Sequence, residues 1–399
     1  MAVVMRIAMR MGIHKESTLE THSILEAEMR RRLWWALVLF DTRIGEMAQA
    51  NSSYLDPTWN CKVPLNLNDA DLRPETKVVP SVPERPSEAI FAVVRSQLAD
   101  FVRHTKFNLD FKNPLLKAIA RQPENPGASE GEDLAKFEDL IENQFLRHCD
   151  QENPIHYMTL WTARGHIARY RLIEHNARFS ESDAPRTDEQ LNIATSFALR
   201  MLECDTKIMR SPLTKGFQWQ NHFHFPFPGY YQTCQDLRRR PNSSVAQRAW
   251  EVLSTNYEGW FYSGTMDDSP FFKIFSRFVL QAWDACEAAA LQKGEIPEIP
   301  AIVVSIRQLL AVLDEHNYAI NTEINALLAV EDSDMSGAGT FVSAPQPYGM
   351  GTEDTFAIFN SPTMSSTMPP GGSGPLSPWM NQTDWAPSSS RPIWWPHMQ

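Results

Sequence analysis

The chain has 399 residues, 43% of them hydrophobic, and its 37 Lys+Arg against 48 Asp+Glu give a net charge of -11. That size and apolar content support a sizeable buried core and exclude a wholly unfolded polymer. The acidic balance argues against an autonomous phosphate-backbone binder, and no stretch approaches the roughly 20 apolar residues of a membrane-spanning helix.

Five cysteines, Cys61, Cys149, Cys204, Cys234 and Cys286, lie too far apart for the close pairs that chelate zinc, and they suggest no disulfide framework. Reduced, packed thiols are expected. At the N-terminus Val3, Val4, Ile7, Ala8 and Met11 recur at helical spacing and predict one apolar stripe, stopped by Gly12. Arg6 and Arg10 interrupt the run, so it does not read as a secretory signal.

Ser23 to Glu26 fits a capping box, opening a helix predicted to bury Leu33, Leu37, Phe40, Ile44 and Met47. Glu26 precedes Arg30 by four residues and Glu28 precedes Arg32 by four, so helix ion pairs should balance the Arg30, Arg31, Arg32 triplet. Pro57 and Pro64 break the helix, and Pro64–Leu72 reads as an ordered extended loop with Asn66, Asn68, Asp69 and Asp71 in Asx-type turns. That loop is no EF-hand, because Asp71 and Lys77 stand where glycine and glutamate are needed.

Lys77–Pro86 reads as a connector and Gln122–Asp133 as a mobile polar loop. Between and beyond them helical periodicity dominates. Ile90, Val93, Val94, Leu98, Phe101 and Val102 form one stripe, and Thr187 to Gln190 and Ser244 to Gln247 predict two further capping boxes. Ala249 to Phe261, Phe271 to Cys286, and Ile302 to Leu313 continue the pattern, with Ile320 to Leu328 following. The fold class is therefore all-α, a large irregular helical domain over 1–330.

Residues 331–399 differ. Their 69 positions hold ten Pro, seven Gly and eleven Ser, with six acidic residues and one basic residue. Such a segment is expected to be disordered. It nevertheless keeps Trp379, Trp385, Trp394 and Trp395, and acidic charge around solvent-held aromatics is the composition of a transcriptional activation segment. These four are the candidate partner-binding residues, for a coactivator groove.

Catalytic constellations are lacking, and the chain does not read as an enzyme. There is no phosphate loop and no H-E-x-x-H, and Ser373 lies in a Pro/Gly tail. Asp267 and Asp268 lack the third carboxylate a diphosphate-binding helix would add. His222 and His224 flank Phe223 without an identifiable third ligand and read as aromatic packing with surface imidazoles. Arg238, Arg239 and Arg240 suit a helix C-terminus.

Arg10 to His14, Glu28 to Trp35 with Trp34 and Trp35 adjacent, Asp41 and Arg43, and the Pro64–Leu72 run follow one another as landmarks. In that order they resemble the fungal-specific transcription factor domain, the middle region of zinc binuclear cluster regulators. The Phe225 to Pro241 stretch is similar to segments of secondary-metabolite cluster regulators. The resemblance implies an all-helical regulatory module in the nucleus, with Arg30 to Arg32, Trp34, Trp35, Asp41, Arg43 and the loop acids and asparagines as structural motif residues. Its implied partners are the transcription machinery or a coactivator, and a second copy or another regulator, with no membrane role. Family members begin with a six-cysteine zinc cluster, so zinc, and contact with DNA, would come only through a missing segment or a partner. The start reads as an internal helix of a truncated or shortened chain. The alternative is a non-DNA-binding ligand-binding or scaffold protein derived from such a regulator. Docking and undocking of the acidic tail on the helical body would give a switch.

Overall fold

The computed structural model describes residues 1–47, 59–76, 78–81, 85–105, 130–179, 186–221, 224–261 and 270–312, all within one compact unit, Met1–Thr340. Among them every regular element is helical. In chain order these are α1 (Ala2–Arg10), α2 (Glu16–Leu19), α3 (Ile24–Met47), α4 (Ile90–Thr105), α5 (Glu130–Gln144), α6 (Pro154–Arg178), α7 (Asp188–Arg210), α8 (Gln218–Asn221), α9 (Phe227–Arg239), α10 (Ala246–Phe261), α11 (Pro270–Gln292) and α12 over 301–312. The predicted helices at 320–328, the tail with its four tryptophans, His222, and Asp267 with Asp268 lie outside the described residues.

Among the described residues, three larger apolar cores organise these helices, beside a small cluster of Leu172, Ala194 and Ala198. Met5, Ile13, Trp34, Trp35 and Trp59 build the N-terminal one. Ile90, Val94, Leu98, Leu134, Ile141 and Leu160 join α4, α5 and α6. Leu202, Tyr230, Leu253, Trp260, Phe275, Trp283 and Val303 hold α7, α9, α10, α11 and α12 together. Helices α6 and α7 form the most extensively packed pair and link the second core to the third.

Several predicted faces are correct. Ile90, Val93, Val94 and Leu98 are buried, as are Ala249, Trp250, Leu253, Tyr257 and Trp260. Thr187 and Gln190 form the expected reciprocal box, with Gln190 N donating to Thr187 Oγ1 and Thr187 N to Gln190 Oε1. Gly12 terminates α1 at φ 72, where a side chain is strained.

Two faces are corrected. On α1 the buried residues are Met5 and Ala8, while Val3, Val4, Ile7 and Met11 are all exposed. On α3 the core receives Ala27, Trp34, Trp35 and Val38, and Leu33, Phe40 and Ile44 face out. Trp34 and Trp35 are each almost fully buried and meet Trp59 edge-on, and this aromatic cluster marks the face of α3 that is turned to the core. Two local expectations also differ. Glu130–Asp133 belong to α5 rather than to a loop, and Gln247 donates to Glu251 instead of capping α10.

Gly229 marks where α9 crosses α7. A Cβ there would stand 3.1 Å from Leu202 Cγ and 3.2 Å from the Ala198 carbonyl oxygen, and the carbonyl is backbone that cannot swing away. Gly229→Ala is expected to lower stability by about 1–3 kcal/mol, measured by denaturant unfolding.

Candidate functional site

The sequence motifs converge first on a buried ionic network around α3. Arg31 donates from Nη2 and Nε to the Glu16 carboxylate, and from Nη1 to Glu28 Oε1. Glu28 has no exposed side-chain surface, Glu16 retains 6% and Arg31 13%. The carboxylates also reach the chain that follows α3. Glu16 Oε2 accepts from Lys62 N at 3.0 Å, and Glu28 Oε2 accepts from Leu65 N at 2.9 Å. Burial alone would raise the Glu16 carboxyl, but the Arg31 hydrogen bond, the Lys62 amide and the nearby cations outweigh it and hold the group low. Burial likewise disfavours the Arg31 charge, and its bonds to Glu16 and Glu28 raise it above its ordinary value.

The rest of the motif completes this frame. Trp35 Nε1 donates to Lys62 O at 2.9 Å, and Trp34 and Trp35 both meet Trp59 edge-on, at 5.2 and 5.3 Å. Arg30 pairs with Glu26 as expected. The expected Glu28–Arg32 pair does not form, because Arg31 takes Glu28 and Arg32 reaches Asp69 at 2.8 Å. In the loop, Asn66 and Asn68 each bond backbone about twenty residues away. Asn66 Oδ1 accepts from Ser87 N at 3.0 Å and Asn68 Oδ1 from Glu88 N at 3.1 Å. Asn68 and Asp71 also form a local capping box, with Asp71 accepting from Asn68 N at 3.2 Å. Asp41 is buried on α3. Glu28, Arg31, Arg32, Trp35, Asn66, Asn68 and Asp69 are tied by hydrogen bonds and ion pairs to one another or to nearby backbone.

Arg43 opens onto something different, a half-open cleft with about 60 Å³ of room. Helix α4 contributes Phe91 and Arg95 at i, i+4, and α6 contributes Trp161, Thr162, Gly165, His166 and Arg169. Helix α7 adds Met201, Asp205 and Ile208. The chain from α8 into α9 supplies Asn221, His224, Phe225, Pro226 and Pro228. Helical spacing of three and four brings each set to one face.

The electrostatics of the cleft are unequal. Three guanidinium groups, Arg43, Arg95 and Arg169, line it against one carboxylate, Asp205. Arg95 Nη2 donates to His224 Nε2 at 3.5 Å, and its guanidinium lies 5.3 Å from the Phe91 ring centroid. Burial pushes the Arg95 pKa down to about 10. The His224 pKa is pushed down to about 2 by burial and then by His166, Arg95, Arg43 and Arg169, so its ring is neutral and accepts from Arg95. This corrects the surface-imidazole reading of His224, whose ring also meets His166 at 5.9 Å.

Asp205 is held by Trp260 Nε1 at 2.5 Å and Asn256 Nδ2 at 2.8 Å, and Asn256 Oδ1 accepts from Tyr230. Burial raises the Asp205 pKa to about 7 against the lowering effect of those two donors. Among the described residues no three His, Cys, Asp or Glu side chains converge as a metal site, and no helix is long and apolar enough to cross a membrane. The cysteines are free, and burial lifts Cys149 and Cys204 to about 11 and Cys234 to about 12. Arg240 closes the C-terminus of α9, paired with Asp236 at 2.7 Å.

The ionic frame, the tryptophan pair and the Asn66–Asp71 loop all fall within a stretch that matches one family model, the fungal specific transcription factor domain, over residues 1–86. The chain carries a fungal specific transcription factor domain. It is 46% identical over 359 residues to Transcriptional regulator AacuB of Aspergillus aculeatus, covering 88% of this chain and 48% of that protein. Transcriptional regulator nsrM of Aspergillus novofumigatus is 44% identical over 310 residues, 77% of this chain and 41% of its own length. The aurofusarin cluster transcription factor aurR2 of Gibberella zeae is 28% identical over 303 residues, 74% of this chain and 44% of its own. The chain thus spans about half the length of the curated relatives it matches, and those relatives are regulators rather than enzymes. No solved structure matches it significantly. Among the described residues the stretch matched by the family model supplies Arg43 to the cleft, and the other lining residues lie beyond 86.

Arg31→Met would leave Glu28 buried without its cation and Glu16 with Lys62 alone, and is expected to cost about 3–5 kcal/mol in denaturant unfolding. Asp205 carries a pH signature. Its folded pKa of about 7 lies above the ordinary 3.8, so its contribution to stability is full below that lower value and is lost as pH rises to about 7. The Asp205→Asn variant lacks this loss. Its unfolding free energy relative to the parent, measured by denaturant unfolding, should rise progressively between about pH 4 and about pH 7, toward a limit of roughly 4 kcal/mol.

Proposed function

We propose that the chain is part of a nuclear transcriptional regulator controlling a fungal metabolic gene cluster, with a helical regulatory body over 1–330 and an activating tail over 331–399. The observation that carries this reading is 46% identity to a transcriptional regulator over 88% of the chain, together with the domain match at 1–86. The name of one relative specifies a biosynthetic cluster, aurofusarin. The acidity of the chain supports recognition of DNA through another segment or a partner protein. Trp379, Trp385, Trp394 and Trp395 would serve as the aromatic anchors that a coactivator groove takes up, and buried aromatic anchors carry most of the energy in such interfaces.

One experiment tests both parts. Deleting the gene should lower the transcripts of a contiguous set of biosynthetic genes, read by RNA sequencing. Residues 331–399 tethered to a heterologous DNA-binding domain should drive a reporter. Replacing the four tryptophans with alanine should return that reporter to background. An unchanged transcriptome in the deletion strain would sink the regulatory reading.

A further inference from the structure

The cleft between α4, α6 and α7 has a charge that the ionic frame around α3 does not explain. A buried guanidinium is normally paired with a carboxylate, because an uncompensated buried charge is costly. Arg31 obeys this rule with two partners. Arg95 does not. Among the described residues its polar contact is the neutral imidazole of His224, and its other contact is the Phe91 ring. The four groups that follow burial in suppressing the His224 charge are His166, Arg95, Arg43 and Arg169, which places cationic groups of α3, α4 and α6 around one point.

Two neighbouring features agree with a polar ligand. Thr162 Oγ1, on the cleft wall, is buried without a hydrogen-bond partner. Trp161, also on the wall, has Arg200 and Lys207 within 5.9 Å of its ring, which extends the positive field beyond the lining itself, whereas Arg164 beside it is paired with Glu142. Among the described lining residues the opposing carboxylate is Asp205, which is already engaged by Trp260 and Asn256.

From this geometry we infer that the cleft is a binding site for a small organic acid, its carboxylate seated at Arg95 and His224 and an aromatic body lying along Phe91, Trp161 and Phe225. A guanidinium matches a carboxylate with two parallel donors. The room of about 60 Å³ equals roughly two waters of liquid volume, enough for a carboxylate head, while the open side leaves space for the ring. Apolar walls with a few convergent polar groups are the usual makeup of a small-molecule site. Arg95 then holds a charge that is unfavourable in the empty protein and is compensated on binding.

Titration calorimetry on the full chain tests this with three probes: benzoate, its neutral isostere benzamide, and inorganic phosphate. Benzoate should bind at least about tenfold more tightly than benzamide or phosphate, a difference of about 1.4 kcal/mol. Arg95→Met should weaken benzoate by a similar factor, and Arg95→Lys, which keeps charge but loses the fork, should fall between. The Arg95→Met melting temperature should equal or exceed that of the parent, whereas a purely structural arginine would leave it lower. Equal binding of benzoate and benzamide overturns the proposal, as does no benzoate heat in the millimolar range. Phosphate matching benzoate overturns the aromatic-acid assignment. The benzoate to benzamide ratio on the parent chain decides the matter even where a variant fails to fold. None of these outcomes bears on whether the chain regulates transcription, which the deletion strain reports separately.

Discussion

A guanidinium and two carboxylates taken almost wholly out of water hold the N-terminal part of the molecule together. Arg31 lies on α3, Glu16 on α2 and Glu28 one turn before Arg31, and the carboxylates have oxygens left to accept from Lys62 N and Leu65 N. Desolvating three charges is costly, and their mutual attraction offsets that cost only when the remaining acceptor positions are filled. Here the backbone of the returning chain fills them. The loop after α3 is therefore fixed in register to α3 itself, and Trp59, carried on that loop, must fall against Trp34 and Trp35. Removing one partner alone is the costly change, because it leaves a buried charge without its counterpart.

Fixing α3 has a consequence farther along it. Twelve residues after Arg31, about 18 Å of helix, the same rod delivers Arg43 to the rim of the cleft. The other lining groups come from α4, α6, α7 and the α8–α9 chain, so the cleft is formed where the N-terminal motif region meets the later helical body. A change in the rotation or position of α3 would move a positive charge relative to Arg95 and His224. Coupling between the two regions needs no other link, although it requires two arrangements of α3 with different affinities for an occupant.

Much of this organisation was legible in the sequence, and the exceptions have identifiable causes. All-helical architecture followed from the 3.6 periodicity, and the Thr187–Gln190 box and the Gly12 stop were local signals that tertiary packing left intact. The rotation of α1 and of α3 was misread because each carries apolar residues on more than one side. Periodicity then offers two faces and cannot say which one meets the core. The Trp34–Trp35 pair could have decided it by size alone. The arginine triplet was correctly expected to be carboxylate-paired, yet its partners were shifted, because a partner 15 residues away, Glu16, competes with the (i, i+4) rule. The cleft was legible only in fragments. Arg43 belonged to the motif and His224 to a noted histidine pair, but Arg95, His166, Arg169 and Asp205 sit on separate helices at unremarkable spacings.

Asp205 shows why such a site escapes a one-dimensional reading. On α7 it stands among residues that pack on α6 and α9, and nothing beside it in sequence distinguishes it from a solvated aspartate. Its character is set by Trp260 and Asn256, more than fifty residues later, and by the low dielectric around them. The same holds for Arg95, whose charge is unremarkable on an amphipathic helix until α6 and the His224 segment close over it. Burial, not residue type, makes a carboxyl that ionises near neutrality and a guanidinium without a carboxylate partner among the described residues, and burial is a property of the assembled helices. An opposite pairing, in which Asp205 neutralised Arg95 directly, would use the same residues and leave no reason for an anionic occupant. Asp205 is instead bound by its own donors, so that neutralisation is not made inside the protein.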